Sequence, residues 1–221
     1  MKARLIAYSQ PSDIIGIDNV QDLIAYCARV SNPSNQLNKE TAEKLIRYLI
    51  KHKHWSPLEM ASATIEIETT RDIARQILRH RSFSFQEFSQ RYADVRDLDN
   101  AFVERKARLQ DTKNRQNSVI TDNVQLHDTW AVHQRAVWQR AMTAYNWAIE
   151  NGIAKEQARA VLPEGNTVSR LYMNGTLRSW VHFIELRSGN GTQREHMEVA
   201  RAVAEAITGV FPMTSEFVQE E

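Results

Sequence analysis

Residues 61–68 alternate without a break: Ala61, Ala63, Ile65 and Ile67 fall on one side, Ser62, Thr64, Glu66 and Glu68 on the other. A period of two with one apolar side is the pattern of a half-buried strand, and it commits the chain to a sheet with one covered face. The period then changes at once. Ile73, Ile77 and Leu78 recur at helical spacing, with Thr70 as the expected N-cap and Asp72 in the first turn, where the helix dipole favours it. A strand that runs into a helix with no turn residues between them is the fixed point of the chain.

Arg71, Arg75 and Arg79 repeat every fourth residue on that helix, one polar stripe with Gln76 at its margin. They lead into residues 79–92, R-H-R-S-F-S-F-Q-E-F-S-Q-R-Y. Beyond Arg81 the pattern returns to alternation, and an extended run places Glu87, Ser89 and Arg91 on one side and Gln86, Phe88 and Gln90 on the other. Neither an amphipathic helix nor a half-buried strand mixes charge with aromatics in this way for packing. Arginine forks match phosphate and carboxylate oxygens in pairs, hydroxyls complete such a cradle, and ring faces stack on a planar base or an isoalloxazine. The residues themselves leave two readings open: an anion site where a helix hands over to an extended rim, or a solvated basic helix followed by a loop.

The length of 221 residues fits one domain, 1–221, with its own core. Lys+Arg 28 against Asp+Glu 27 leaves the chain nearly neutral, which disfavours a nucleic-acid-binding module built on the Arg/Phe run, the runner-up function, and confines any basic role to a local site. With one cysteine there is no internal disulfide and no thiolate metal cluster. Cys27 falls in line with Val20, Leu23, Ile24 and Val30 at helical spacing, which assigns it to the core rather than to nucleophilic catalysis. His52 and His54 alternate around Lys53 without a third ligand at a recognisable spacing, so no metal is expected and a metal hydrolase ranks low. Without a long apolar run, the expectation is a soluble, cytoplasmic protein with no membrane partner.

Elsewhere the pattern predicts a strand over 2–8, a helix from about 39 that buries Leu45, Ile46, Leu49 and Ile50, and a long helix over 124–150 stopped by Asn151-Gly152. That helix carries Trp130, Trp138, Tyr145 and Trp147, expected in the core or a subunit interface. Residues 93–123 are polar and read as a solvated connection. A strand over 167–173 is followed by a helix on which Arg178, His182 and, slightly off line, Glu185 share a face. Gln193 and Glu195 open a last helix with Val199, Val203 and Ile207. The mixture is an α+β domain with a small sheet and long helices.

Residues 79–92 resemble the signature of the flavin-dependent thymidylate synthases, R-H-R-x-x-S-x-N-x-x-S-x-R-Y, with Gln86 in place of Asn. The resemblance extends along the chain. His54-Trp55-Ser56-Pro57-Leu58-Glu59-Met60 is similar to the family's H-x-[ST]-P-x-E-H element, with Met60 in place of the usual second His. Glu156 to Pro163 resembles E-x-A-R-x-x-L-P. Thr176-Leu177-Arg178 and Leu186-Arg187 resemble N-x-R and L-R, with Thr176 replacing Asn. The resemblance implies reductive methylation of dUMP to dTMP, with methylenetetrahydrofolate as carbon donor, FAD as hydride carrier and NADPH as reductant. It implies a dUMP site of Gln76, Arg79, Glu87, Phe88, Ser89, Gln90, Arg91, Arg159 and Arg187, with Arg187 at the uracil edge as the catalytic residue. For FAD it implies Ser31, His54, Ser56, Arg79, His80, Arg81, Glu87, Thr176, Leu177, Arg178 and His182. It also implies a homotetramer with active sites shared between subunits, and a lid role for 93–123. The chain has no G-x-G-x-x-G and no P-loop among its 7 Gly, so side chains must hold the cofactor. A competing role for Arg187 is a helix-end residue paired with Glu185 or capping carbonyls.

Overall fold

In the computed structural model, which describes residues 1–219 apart from the side chain of Ile14, the alternating segment becomes the second strand of a four-stranded antiparallel sheet. The strands are β1 (Lys2–Tyr8), β2 (Ser62–Thr70), β3 (Ser84–Glu87) and, later in the chain, a strand over Val168–Thr176, ordered with β1 and β3 at the edges and the late strand between β2 and β3. The β2 strand outlasts its alternation because the late strand continues to pair with it, from Ser62 opposite Thr176 to Thr70 opposite Val168. Ala61, Ala63, Ile65 and Ile67 are all buried, with Leu171 and Met173 beside them. The other face is a charge ladder: Arg4 lies opposite Glu66 and binds it at 2.9 Å, while Glu68 lies between Lys2 and Arg170 and meets them at 3.6 and 3.3 Å. Directly opposed opposite charges fix the register on the solvated side.

Ahead of β2 lie α1 (Val20–Ala28) and α2 (Ala42–Lys51). The first stops at Ala28, leaving Val30 exposed and Cys27 only half-buried rather than in the core; burial still raises the thiol pKa. In α2, Ile46 and Leu49 are buried, and Leu45 and Ile50 are half-buried. His52 and His54 stand with ring centroids 6.2 Å apart on either side of Tyr48 contacts, and among the described residues no group of three or more His, Cys, Asp or Glu is placed to hold a metal ion. Next to β2, α3 (Arg71–Ile77) follows without a linker, and Thr70 occupies the N-cap. Its hydroxyl makes no cap bond; it donates to Asp72 Oδ1 at 2.6 Å.

The polar connection is more ordered than its composition implies. Asp94 and Asp97 close a capping box, Phe102 bridges to Thr167, and β4 (Arg108–Gln110) and β5 (Ser118–Ile120) form a hairpin. Arg105 reaches Asp72 at 2.7 Å and Arg108 reaches Glu195 at 2.7 Å. Three-residue strands are too short to leave a periodic trace, and both anchors need partners far along the chain.

The helix α4 (Val124–Glu150) covers the range its sequence predicts, and Gly152 follows at φ +75°. Tyr145 is buried in a second small core with Val95, Ala148, Ala158 and Leu162, whereas Trp130 is 44% and Trp147 60% exposed. Then come the short α5 (Lys155–Ala158), the late strand, here β6 (Val168–Thr176), α6 (Leu177–Arg187) and α7 (Arg194–Thr208). The last two pack on the apolar sheet face through Trp180, Phe183, Ile184, Val199, Val203 and Ile207. No helix of the described residues is long and apolar enough to cross a membrane.

Candidate active site

The junctions around the sheet place the sequence-predicted residues in three groups. The first gathers at the end of α3 against α6 and α7. Gln76 is half-buried in the last turn of α3, His80 follows it, and Arg187 ends α6. Arg187 Nε donates to His80 Nε2 at 3.0 Å, and no ion pair to Glu185 forms among the described residues. An imidazole nitrogen that accepts from a guanidinium carries no proton, so His80 is neutral with its hydrogen on Nδ1. Burial, then the charges of Arg187 and Arg79, push its pKa down to about 4. Burial and the neighbouring Arg79 also lower that of Arg187. The His80 ring lies edge-on to Phe183 at 5.0 Å and 6.2 Å from the fully buried His196, whose pKa falls to about 3 through burial first and then Arg187, His80 and Arg79.

The second group lies along the opposite flank of α6. Residues Ser56–Met60 form a single 3-10 turn that brings Glu59 to Arg178, and Trp55 sets its ring edge-on against His182 at 4.4 Å. Burial and then Arg178 lower the His182 pKa, with Glu185 opposing. Thr176 caps α6, accepting from Ser179 N at 3.3 Å, so the hydroxyl supplies the cap that an Asn would give. The Leu177 N–H is already bonded to Ala61 O at 2.9 Å. His54 and Ser56 are exposed at this edge, Met60 is exposed at the end of the turn, and Ser31 lies exposed in the loop after α1.

The third group lies past the far end of β3. The extended run continues only to Phe88, which donates to Arg170 O at 2.8 Å; Tyr92 and Ala93 then both donate to Ser89 O, so Arg91 sits in a turn and leaves the side shared by Glu87 and Ser89. Glu87 accepts from Ser169 Oγ at 2.7 Å and faces Arg71 at 3.5 Å. Arg91 meets Glu156 at 3.3 Å, and Gln90 is buried with its Nε2 unpartnered among the described residues. A cleft of about 540 Å³ opens here between Gln86, Phe88, Ser89, Tyr92, Arg170 and Tyr172. The four residues of β3 alone advance the chain by roughly 13 Å, so Ser89 and Arg91 lie at the opposite end of β3 from His80 and Arg187.

The stripe of every-fourth arginines divides by partner. Arg71 is buried between Glu87 and Glu164, and Arg75 grips Glu164. Arg79, Arg81, Arg159 and Arg187 make no ion pair among the described residues. Arg79 and Arg187, without ion pairs among the described residues and beside the neutral imidazoles of His80 and His196 and the ring of Phe183, form a donor set suited to phosphate, pyrophosphate and an electron-rich heterocycle, so the residues present fit a flavin dinucleotide. Two partners escaped the sequence pattern, His196 and Trp55, whereas Glu59, which meets Arg178, is the Glu of the His54–Met60 element. The position of His196 carried a signal, since it lies three and seven residues before Val199 and Val203 on an otherwise apolar stripe.

A sheet covered by helices and bearing such a donor set is the kind of architecture that a nucleotide- and cofactor-using enzyme requires. The sequence matches the family described as "Thymidylate synthase complementing protein" over residues 13–213. It is 50% identical over 212 residues, 96% of either chain, to a "Probable flavin-dependent thymidylate synthase" of Paramecium bursaria Chlorella virus 1. It is 44% identical over 214 residues, again 96% of either chain, to the flavin-dependent thymidylate synthase of Synechocystis sp.. Among solved structures it resembles a UMP/dUMP methylase PolB from Streptomyces cacaoi bound with 5-Br dUMP, with TM-score 0.78, 28% identity, and 98% of this chain and 93% of that one covered. The chain belongs to the flavin-dependent thymidylate synthase family.

Proposed function

We propose that the protein converts dUMP to dTMP by reductive methylation, with 5,10-methylenetetrahydrofolate as carbon donor, FAD as the flavin and NADPH as reductant. The observation that carries this reading is Arg187 held at its Nε by a neutral His80, which leaves the terminal nitrogens of the fork for a ligand. Uracil becomes nucleophilic at C5 as negative charge develops on the N3/O4 edge, and a preorganised guanidinium stabilises that charge. Arg187 takes this role, with Gln76, Arg79 and Arg159 beside the nucleotide. Ser89, Arg91 and the Glu87–Gln90 segment bind the phosphate side. The flavin, when bound, supplies the hydride. Arg79, His80, Arg81, Arg178 and His182, with Ser31, His54, Ser56, Glu87, Thr176 and Leu177, hold and orient it.

The phosphate group and the Arg187 group lie at opposite ends of β3, which supports a site completed by a second copy of the chain. The exposed Trp130, Val132, Val137 and Trp147 on α4 supply apolar surface for such contacts, and the assembly proposed is a homotetramer. The chain acts as one catalytic domain, in the cytoplasm. The test is dUMP-dependent NADPH oxidation with FAD and methylenetetrahydrofolate present, followed by detection of dTMP. Oxidation that proceeds equally without dUMP, or that yields no dTMP, would remove the assignment.

A further inference from the structure

A line of hydrogen bonds runs from the β4–β5 hairpin into the Arg187 group. Arg108 Nη2 donates to Glu195 Oε1 at 2.7 Å, Gln193 Nε2 to Glu195 Oε2 at 3.0 Å, and Gln76 Nε2 to Gln193 Oε1 at 2.7 Å; His196 Nδ1 lies 3.4 Å from Gln76 Oε1. Its polarity follows from one group. Glu195 is 6% exposed. Burial works against its charge, but the Arg108 bond, its own backbone N–H and nearby Arg105 outweigh that and leave its pKa below the ordinary value. An ionised carboxylate only accepts, so Gln193 must turn its NH2 to Glu195 and its oxygen to Gln76. Gln76 must then turn its NH2 to Gln193 and its oxygen to His196. His196 carries its hydrogen on Nδ1, and its buried Nε2 has no partner among the described residues.

Gln76 is left with one N–H that has no acceptor among the described residues. Arg79, three residues further on, and Arg187 are donors only. With the Gln76 oxygen turned to His196, the side chains left to offer a ligand are donors: the Gln76 N–H, and Arg79 and Arg187, which lie close enough for the first to lower the pKa of the second. A pyrimidine with oxygen at C4 answers such a wall with lone pairs, whereas one with an amino group at C4 sets donor against donor. An amide free to flip would remove that distinction.

We propose that Gln193, Glu195 and His196 are positioning residues that lock Gln76 as a donor and so select a 4-oxo over a 4-amino pyrimidine nucleotide. The proposal rests on the reading above, in which the nucleotide lies beside Arg187 and Gln76.

The test is equilibrium binding of dUMP and of dCMP to the full-length, flavin-loaded protein by titration calorimetry, with flavin absorbance as the check on folding. Wild type binds dUMP in preference to dCMP. Gln193→Met, a near-isosteric change at a half-buried position, lowers that preference about tenfold or more, as does Glu195→Gln. His196→Asn, whose amide replaces the Nδ1 donor, retains it. Unchanged preference in Gln193→Met, or equal weakening of both nucleotides, overturns the proposal. Equal binding of dUMP and dCMP by the wild type overturns selection while leaving dUMP as substrate; binding of neither overturns the functional reading and this one with it.

Discussion

Arg187 and His80 come from elements 107 residues apart in sequence, and the guanidinium Nε of the first lies 3.0 Å from the imidazole Nε2 of the second. The contact fixes the His80 tautomer and orients the arginine fork together. It also sets apart two variants that a charge count would treat alike. Arg187→Lys keeps the charge but loses the planar fork and the Nε donor. Turnover at saturating dUMP is expected to fall by about 10²-fold or more, with nucleotide affinity weakened less. Normal turnover in Arg187→Lys would move the catalytic role elsewhere, Arg159 being the next guanidinium without an ion pair.

His80→Ala and Arg178→Ala test the flavin half. Both residues lie at the flanks of α6 and outside the main apolar cluster, so the variants should fold and purify colourless. Full flavin absorbance in either protein would place the cofactor elsewhere.

The phosphate half is tested by Arg91→Ala. Its exposed ion pair with Glu156, at 3.3 Å, contributes little to stability. A charge-assisted bond to phosphate is worth about 1.5–3 kcal/mol, so dUMP affinity is expected to drop roughly ten- to a hundredfold with flavin content unchanged. Unaltered dUMP affinity would take Arg91 out of the site.

Stability should depend on pH through the buried imidazoles. The folded pKa values of His80 and His196, about 4 and about 3, lie below the ordinary 6.5. Between those values the unfolded chain binds more protons than the native one, so the contribution is complete above pH 6.5 and is lost as pH falls towards 4 and 3. For the fully buried His196 the slope is at most about 1.4 kcal/mol per pH unit. Urea unfolding midpoints measured from pH 7 to pH 4.5 should decline, and less steeply in His196→Leu. An identical pH dependence in that variant would show that His196 is not among the linked groups.

Gly175 serves packing. A Cβ there would collide with the ring of Phe83, which lies 4.6 Å from Trp180 and edge-on to His80 at 6.4 Å. Gly175→Ala should therefore cost about 1–3 kcal/mol by overpacking and disturb the ring beside His80. A thermal midpoint equal to wild type would show that the ring moves aside freely.

Much of this was legible in the chain itself. The alternation of residues 61–68 set the buried and charged faces of β2, the abrupt change of period set the strand-to-helix junction, and the Asn151-Gly152 stop set the end of α4. These are local properties, since period and turn chemistry act within a few residues. The clustering of Arg, His and hydroxyls in residues 79–92 is likewise a local property, and it makes that run the candidate site. What the sequence could not decide was the partner of each charge. Arg71, Arg75 and Arg79 are equivalent by spacing, yet the first two are neutralised by Glu164 and only the third makes no ion pair among the described residues. Glu195 and His196 look like ordinary helix-opening residues until β4 brings Arg108 to one and α3 brings Gln76 to the other. Cys27 fits the apolar stripe of α1 and is still only half-buried, because the helix stops one residue later. Ion pairs and buried hydrogen bonds join residues dozens of positions apart, and nothing in the spacing along a chain encodes which of several identical guanidiniums the fold will bring to a carboxylate; only the tertiary packing decides that.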